Sequence, residues 1–179
     1  NISEMERKRL LSFIVVGGGP TSCEFTAELN DFLLQDVAKW YPEIIRDAKI
    51  TLVEAGPGLL GSFQKALADY YLESLIKKDI DVRVCTAVTA VEDRFFEDKE
   101  KNDEKPGAHY TVAKLGDGTD IPFATMVWSA GLAPVKFIEQ TGLELNRGRV
   151  VVDSYLRVPG QNGRIFAMGD CATPQDGPL

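Results

Sequence analysis

Phe13-Ile14-Val15-Val16-Gly17-Gly18-Gly19-Pro20-Thr21-Ser22-Cys23-Glu24 is the stretch whose reading decides the fold. An apolar run rich in β-branched residues enters consecutive glycines, and Phe25, Leu29, Phe32 and Leu33 follow at helical spacing. This is the pattern of a strand, a tight turn and a helix N-terminus. The free N–H groups of such a turn and the positive end of the helix dipole face one spot, which suits a pyrophosphate.

In the G-x-G-x-x-G fingerprint the first glycine makes the turn, the second lets backbone approach phosphate, and the third lets helix pack on strand. Gly17 and Gly19 fill the first two places, with Gly18 between them, and Ser22 stands in the third. Serine there predicts slightly relaxed helix packing. A glycine-rich turn with no ligand is the competing reading, and context separates the two: a preceding strand, a following helix and a later acid mark a dinucleotide site. The acid is Glu54, closing Lys49-Ile50-Thr51-Leu52-Val53-Glu54-Ala55-Gly56, where a carboxylate would accept the hydroxyls of the adenosine ribose. An ordinary solvated strand-end acid is its alternative. The interval from Gly17 to Glu54 exceeds the usual gap of about 20 residues, and extra turns on the first helix and the Pro42 to Asp47 connection absorb the excess.

Upstream, Ser3 as N-cap and Glu6 at the capping-box place predict a short lead-in helix over residues 1–9. A chain opening in this way, with no initiating methionine, reads as a piece of something longer. The helix after the glycines takes Pro20 in its first turn, where the missing N–H costs nothing, and runs to about Trp40-Tyr41 before Pro42. Phe63 to Lys77 reads as a second helix burying Phe63, Leu67, Tyr70, Tyr71 and Leu75 on one face. Ile80 to Val84 completes a β-α-β-α-β run with right-handed crossovers. Ala87 to Val91, Tyr110 to Leu115 and Asp120 to Pro122 then suggest an antiparallel meander, with a solvated hairpin tip at 97–107. Met126-Val127-Trp128-Ser129-Ala130-Gly131 returns as an apolar strand ending in small residues. Val150 to Val152 and Ile165 to Ala172 are expected to be two more strands, the second ending in Gly169-Asp170. The fold class is therefore α/β: a Rossmann-like dinucleotide-binding domain with a parallel sheet, helices and an antiparallel β-meander.

With 179 residues and 44% hydrophobic content the chain can bury a real core. Its net charge of -7 argues against a nucleic-acid or anionic-membrane surface and for a small-molecule partner. No apolar run approaches the roughly 18 residues of a membrane span, so no anchor is expected in this segment, which reads as soluble. Cys23, Cys85 and Cys171 are widely spaced and never form C-x-x-C, so each reads as a small buried hydrophobe. His109 is the only histidine and lies in a strand or hairpin, so no metal site is expected.

Gly17-Gly18-Gly19-Pro20-Thr21 with Glu24, Leu52-Val53-Glu54-Ala55, Val127 to Gly131 and Ile165 to Asp170, in this order, resemble the pyridine nucleotide-disulfide oxidoreductase-like flavoproteins. Within them, they resemble the single-subunit type II NADH:quinone oxidoreductases, the rotenone-insensitive alternative NADH dehydrogenases of mitochondria. The resemblance covers almost the whole chain. It implies an NADH-binding insert at about 10–148 and a returning segment of the FAD-binding domain at 149–179. It further implies that Gly17, Gly18, Gly19, Pro20 and Thr21 hold the NADH pyrophosphate, Glu54 the ribose, and the Ala130-Gly131 backbone the dinucleotide. Glu24 is expected near the nicotinamide as the catalytic candidate, and Gly169 and Asp170 at FAD. The intact enzyme is expected to pass hydride from NADH to FAD and electrons to quinone, peripherally at the mitochondrial inner membrane and as a homodimer. The family's first glycine fingerprint and its membrane-anchoring region do not occur in these residues, so this chain alone is expected neither to hold flavin firmly nor to reduce quinone. A dinucleotide-binding module without turnover, and another FAD/NAD-dependent reductase of the same fold, are the alternatives.

Overall fold

The computed structural model describes residues 2–95, 109–131 and 133–175. The expected hairpin tip at 97–107 lies outside the described residues, apart from which the meander is seen. The chain divides into two compact units, Asn1–Ala130 and Gly131–Leu179.

The first unit opens with helix α1 (Glu4–Leu10), where Ser3 Oγ accepts from the Glu6 N–H at 3.1 Å. Glu6 does not complete the expected capping box: its carboxylate takes the Arg9 guanidinium at 2.7 Å instead. Strand β1 (Ser12–Val16) follows, then α2 (Pro20–Phe32), which continues through a π-helical turn at Leu33–Val37 into α3 (Ala38–Trp40). Strand β2 (Lys49–Val53), helix α4 (Lys65–Lys77) and strand β3 (Asp81–Arg83) complete two crossovers. The antiparallel strands β4 (Val88–Phe95), β5 (His109–Leu115) and β6 (Asp120–Phe123) form the meander, and β7 (Thr125–Trp128) returns to the parallel sheet. The sheet order is β3-β2-β1-β7, all pairs parallel, with Val16 opposite both Val53 and Trp128.

β1 alternates between two cores, as period-two geometry requires. Val15 and Leu52 face the helices and pack with Cys23, Leu33 and Leu75. Ile14, Val16 and Val53 face the meander and pack with Ala113, Leu115 and Phe123. Burial on both faces is why β1 reads as an unbroken apolar run.

Of the apolar residues at helical spacing, Leu29, Leu33, Tyr71 and Leu75 pack into the core and the others do not. On α2 the buried residues are Ser22, Cys23, Thr26 and Asn30, while Phe25 and Phe32 are exposed. Small and polar side chains let this helix lie close over the sheet, and Thr26 satisfies its hydroxyl on the Ser22 carbonyl at 2.7 Å. On α4, Leu75 is buried with Ala68, Tyr71 and Leu72 against the same core, whereas Leu67 and Tyr70, and Phe63 just before the helix, are exposed.

In the second unit, α5 (Lys136–Gln140) precedes a hairpin of β8 (Leu145–Asn146) and β9 (Arg149–Val152). Its turn residues Arg147 and Gly148 both have positive φ, at 50° and 78°, as a two-residue hairpin loop demands. Val150, Val152 and Val158 form its core. The strand expected over Ile165 to Ala172 is not formed: Phe166 makes one isolated bridge to Arg157, and Gly169–Cys171 is a 3-10 turn. The strand is instead β10 (Ala172–Pro174), parallel to β9. Gly169 explains the displacement, because its φ of +74° turns the chain before pairing begins.

Candidate dinucleotide site

The glycine turn is built where β1 ends. The Gly17 N–H donates to the Val53 carbonyl at 2.8 Å, carrying the ladder one residue past the strand. Gly17 has a φ of +120°, and a Cβ there would lie 2.8 Å from Ser22 Oγ and 3.1 Å from the Ala130 Cβ. Glycine is thus required twice over, by conformation and by space. Gly18 is buried, and a Cβ on it would lie 2.7 Å from the Glu54 Cγ. Gly19 differs from both: it is the exposed N-cap of α2, and a Cβ built on it meets nothing within 4 Å. Backbone at Gly19 is therefore open to a ligand, at a helix start that no side chain caps. Pro20 occupies the first turn, and Pro20, Thr21 and Glu24 are exposed.

Glu54 sits directly after β2. Its Oε2 accepts the Gly18 N–H, and its Oε1 accepts the Gly56 N–H at 2.5 Å. A carboxylate offers about four lone-pair sites, so two backbone bonds fix its plane and leave acceptor capacity for a diol. Gly56 was not legible as part of the site, because its contribution is a backbone N–H. Arg83, on the neighbouring strand β3, pairs with Asp81 at 3.2 Å and with Asp117 at 3.8 Å. No cation on β3 is thereby left to neutralise a second phosphate beside Glu54.

Two hydroxyls close the floor. Ser22, fully buried, bonds through Oγ to Ser129 Oγ at 2.5 Å, and the Ser129 N–H donates to the Val16 carbonyl at 3.0 Å. Packing at the third fingerprint position is therefore tight, not relaxed as the sequence suggests. The sequence places Ser129 among the small residues that end the returning strand, but not its bond to Ser22, from which 107 positions separate it.

Beneath the turn, Cys23 Sγ lies 3.6 Å from the Gly18 carbonyl. Burial, with the charges of Glu54 and Glu24 adding, pushes its thiol up to about 11. The Tyr71 hydroxyl donates to the Cys23 carbonyl at 2.6 Å, and burial, then Cys23 and Glu24, pushes it up to about 12. Cys85 and Cys171 are exposed, contrary to the expectation that all three cysteines are buried. Each follows a glycine-bearing turn or strand end where little covers it.

Gly17, Gly18, Glu54 and Ala130 are thus brought together in the first unit. Gly131, Gly169 and Asp170 belong to the second. Gly131 has a φ of +81°, and Asp170 is exposed in the 3-10 turn that Gly169 opens. Among the described residues, no group of three or more His, Cys, Asp or Glu side chains stands where it could hold a metal. Among them too, no helix is long and apolar enough to cross a membrane.

The sequence profile described as pyridine nucleotide-disulphide oxidoreductase matches residues 2–178. External NADH-ubiquinone oxidoreductase 2, mitochondrial, of Saccharomyces cerevisiae is 35% identical, over 95% of this chain and 30% of that protein. External alternative NAD(P)H-ubiquinone oxidoreductase B2, mitochondrial, of Arabidopsis thaliana is 38% identical, over 96% of this chain and 28% of that protein. Among solved structures, NDH2 from Plasmodium falciparum in complex with NADH superposes with a TM-score of 0.72 at 29% identity, over 98% of this chain and 34% of that one. The chain spans about a third of the length of these relatives. A match over nearly every residue, on a Rossmann-like α/β fold with an open glycine turn and a strand-end carboxylate, places the chain in the pyridine nucleotide-disulphide oxidoreductase family.

Proposed function

We propose that this chain is the NADH-binding part of a flavin-dependent NADH:quinone oxidoreductase of the alternative, type II kind. The observation that carries the reading is the Glu54 carboxylate, held by the Gly18 and Gly56 N–H groups beside the open backbone of Gly19. Two ribose hydroxyls fit the lone pairs left on Glu54. The pyrophosphate fits the N-terminus of α2 at Gly19, Pro20 and Thr21, where the helix dipole and the N–H groups of Gly19 and Thr21 favour negative charge and Pro20 shapes the turn without an N–H. The names of the yeast and Arabidopsis relatives and the NADH complex of the Plasmodium protein support the same assignment.

On this reading the binding part extends over about 10–148, and 149–179 belongs with the FAD-binding part. The Ala130-Gly131 backbone lines the dinucleotide, and Glu24 stands toward the nicotinamide from the first turns of α2. Gly169 and Asp170 are the residues of this chain assigned to FAD. Asp170 fits that role as an exposed carboxylate whose turn has room beside Gly169, where a Cβ would meet nothing within 4 Å. Bound FAD supplies the two-electron acceptor for the nicotinamide hydride. The protein's part is orientation of the dinucleotide at near-attack distance. Quinone as final acceptor, a peripheral position on the mitochondrial inner membrane and a homodimer of the intact enzyme complete the proposal, supported by the relatives' names for quinone and mitochondria.

Calorimetric titration with NADH and NADPH tests it. A 2′-phosphate against the Glu54 carboxylate suffers like-charge repulsion, so NADH binds at least about tenfold more tightly, a gap of roughly 1.4 kcal/mol. Glu54→Gln narrows that ratio. Equal affinity of the unaltered chain for both nucleotides rejects the ribose assignment.

A further inference from the structure

We infer that Ser22 and Ser129 are a positioning pair, setting the separation between the N-terminus of α2 and the end of β7 across which a dinucleotide lies. The inference rests on the dinucleotide reading of the site. The third fingerprint position is ordinarily glycine because helix and strand must nearly touch there. Here a hydroxymethyl group is fully buried at that point, so its oxygen must find a partner or suffer the full cost of desolvation. Ser129 Oγ meets it at 2.5 Å.

Both ends of that bond are anchored to the site. Ser22 lies in the first turn of α2, and its Oγ would be 2.8 Å from a Cβ on Gly17. Ser129 is fixed by its N–H to Val16 and is followed by Ala130, whose backbone N lies 3.2 Å from the same point. The glycine turn, the helix start and the β7 end therefore pack through one hydroxyl pair. Removing one hydroxyl strands the other: without Ser129, the Ser22 hydroxyl must turn back to a carbonyl of its own first turn. That turn is the one proposed to face the pyrophosphate. Removing both, with glycine restored at position 22, leaves no polar group needing a partner.

The pair should matter only to a ligand that reaches β7. AMP engages Glu54 and the helix start, whereas NADH continues toward the β7 end. The test is calorimetric titration of the full chain and its variants with AMP and with NADH. Ser129→Ala is expected to weaken NADH by about fivefold, as loss of one buried partner implies, and AMP by less than about twofold. Ser22→Gly combined with Ser129→Ala is expected to return NADH affinity to within about twofold of the unaltered chain. Ser129→Thr retains the hydroxyl and should preserve NADH binding, which keeps the test alive if the alanine variant does not fold. The inference is overturned if Ser129→Ala binds NADH normally, if AMP and NADH weaken alike, or if the double variant is as weak as Ser129→Ala. Failure of the unaltered chain to bind either nucleotide would instead overturn the dinucleotide reading on which the pair depends.

Discussion

The neighbouring glycines 17 and 19 make opposite predictions. Gly17→Ala forces a side chain onto a φ of +120° and into the space of Ser22 and Ala130, so it should cost at least about 2 kcal/mol in urea unfolding. Gly19→Ala meets open space at a φ of -78°, which any residue adopts. Its stability should change by less than about 1 kcal/mol, because the entropy gained by replacing glycine is offset by alanine's poorer fit at the N-cap of α2, while the added methyl weakens NADH by about tenfold. Equal destabilisation by the two would show that the turn is structural only. Cys23 and Tyr71 add a pH dependence. Both folded groups bind their protons more tightly than the unfolded chain, so stability is full below the ordinary values of 9.0 and 10.0 and falls as pH rises toward about 11 and 12. Urea midpoints at pH 8 and pH 10.5 should differ in that direction, and Cys23→Ala should flatten the lower part of the decline. The sequence places Gly17 and Gly19 in the turn after β1 and Glu54 at the end of β2, as they stand in the structure, because a positive φ and a strand end are written in residue type. The Gly56 N–H and the Ser22–Ser129 bond were not legible, since one is a main-chain group and the other joins residues far apart in sequence.

Among the elements, α4 shows where periodicity stops informing. Its apolar residues form adjoining stripes: Ala68, Tyr71, Leu72 and Leu75 meet the core, and Leu67 and Tyr70 do not. Both stripes satisfy helical spacing, and only the tilt of α4 on the sheet selects between them. Leu75→Ala should therefore cost about 2–5 kcal/mol, whereas Tyr70→Ala, at a side chain 69% exposed, should stay within about 0.5 kcal/mol. A large loss from Tyr70→Ala in chemical denaturation would restore the face that the sequence suggests. The same limit governs α2, where small and polar Ser22, Cys23, Thr26 and Asn30 are buried while Phe25 and Phe32 at helical spacing are exposed. The parallel strands were easier, since runs buried on both faces have no second stripe to confuse them. Pairing of the last strand was legible only in part: Ile165 to Met168 has strand composition, but a positive-φ glycine moves the ladder to Ala172–Pro174.

For the molecule as a whole, charge and site pull in opposite directions. A chain of net charge -7 repels a dianionic nucleotide at long range, while the α2 N-terminus attracts it within the last few ångströms. The Debye length decides which is felt during approach: about 30 Å at 0.01 M salt, beyond the radius of a small domain, and about 8 Å at 0.15 M. Raising salt over that range removes most of the global repulsion and leaves the turn's own N–H groups close enough to act. NADH association followed by stopped-flow fluorescence should therefore quicken with added salt, on the order of twofold, with the dissociation rate nearly constant. A basic site steering its ligand gives the reverse, a rate falling with salt. Slowing here would mean that cations, not the helix start and glycine backbone, dominate the field over the turn.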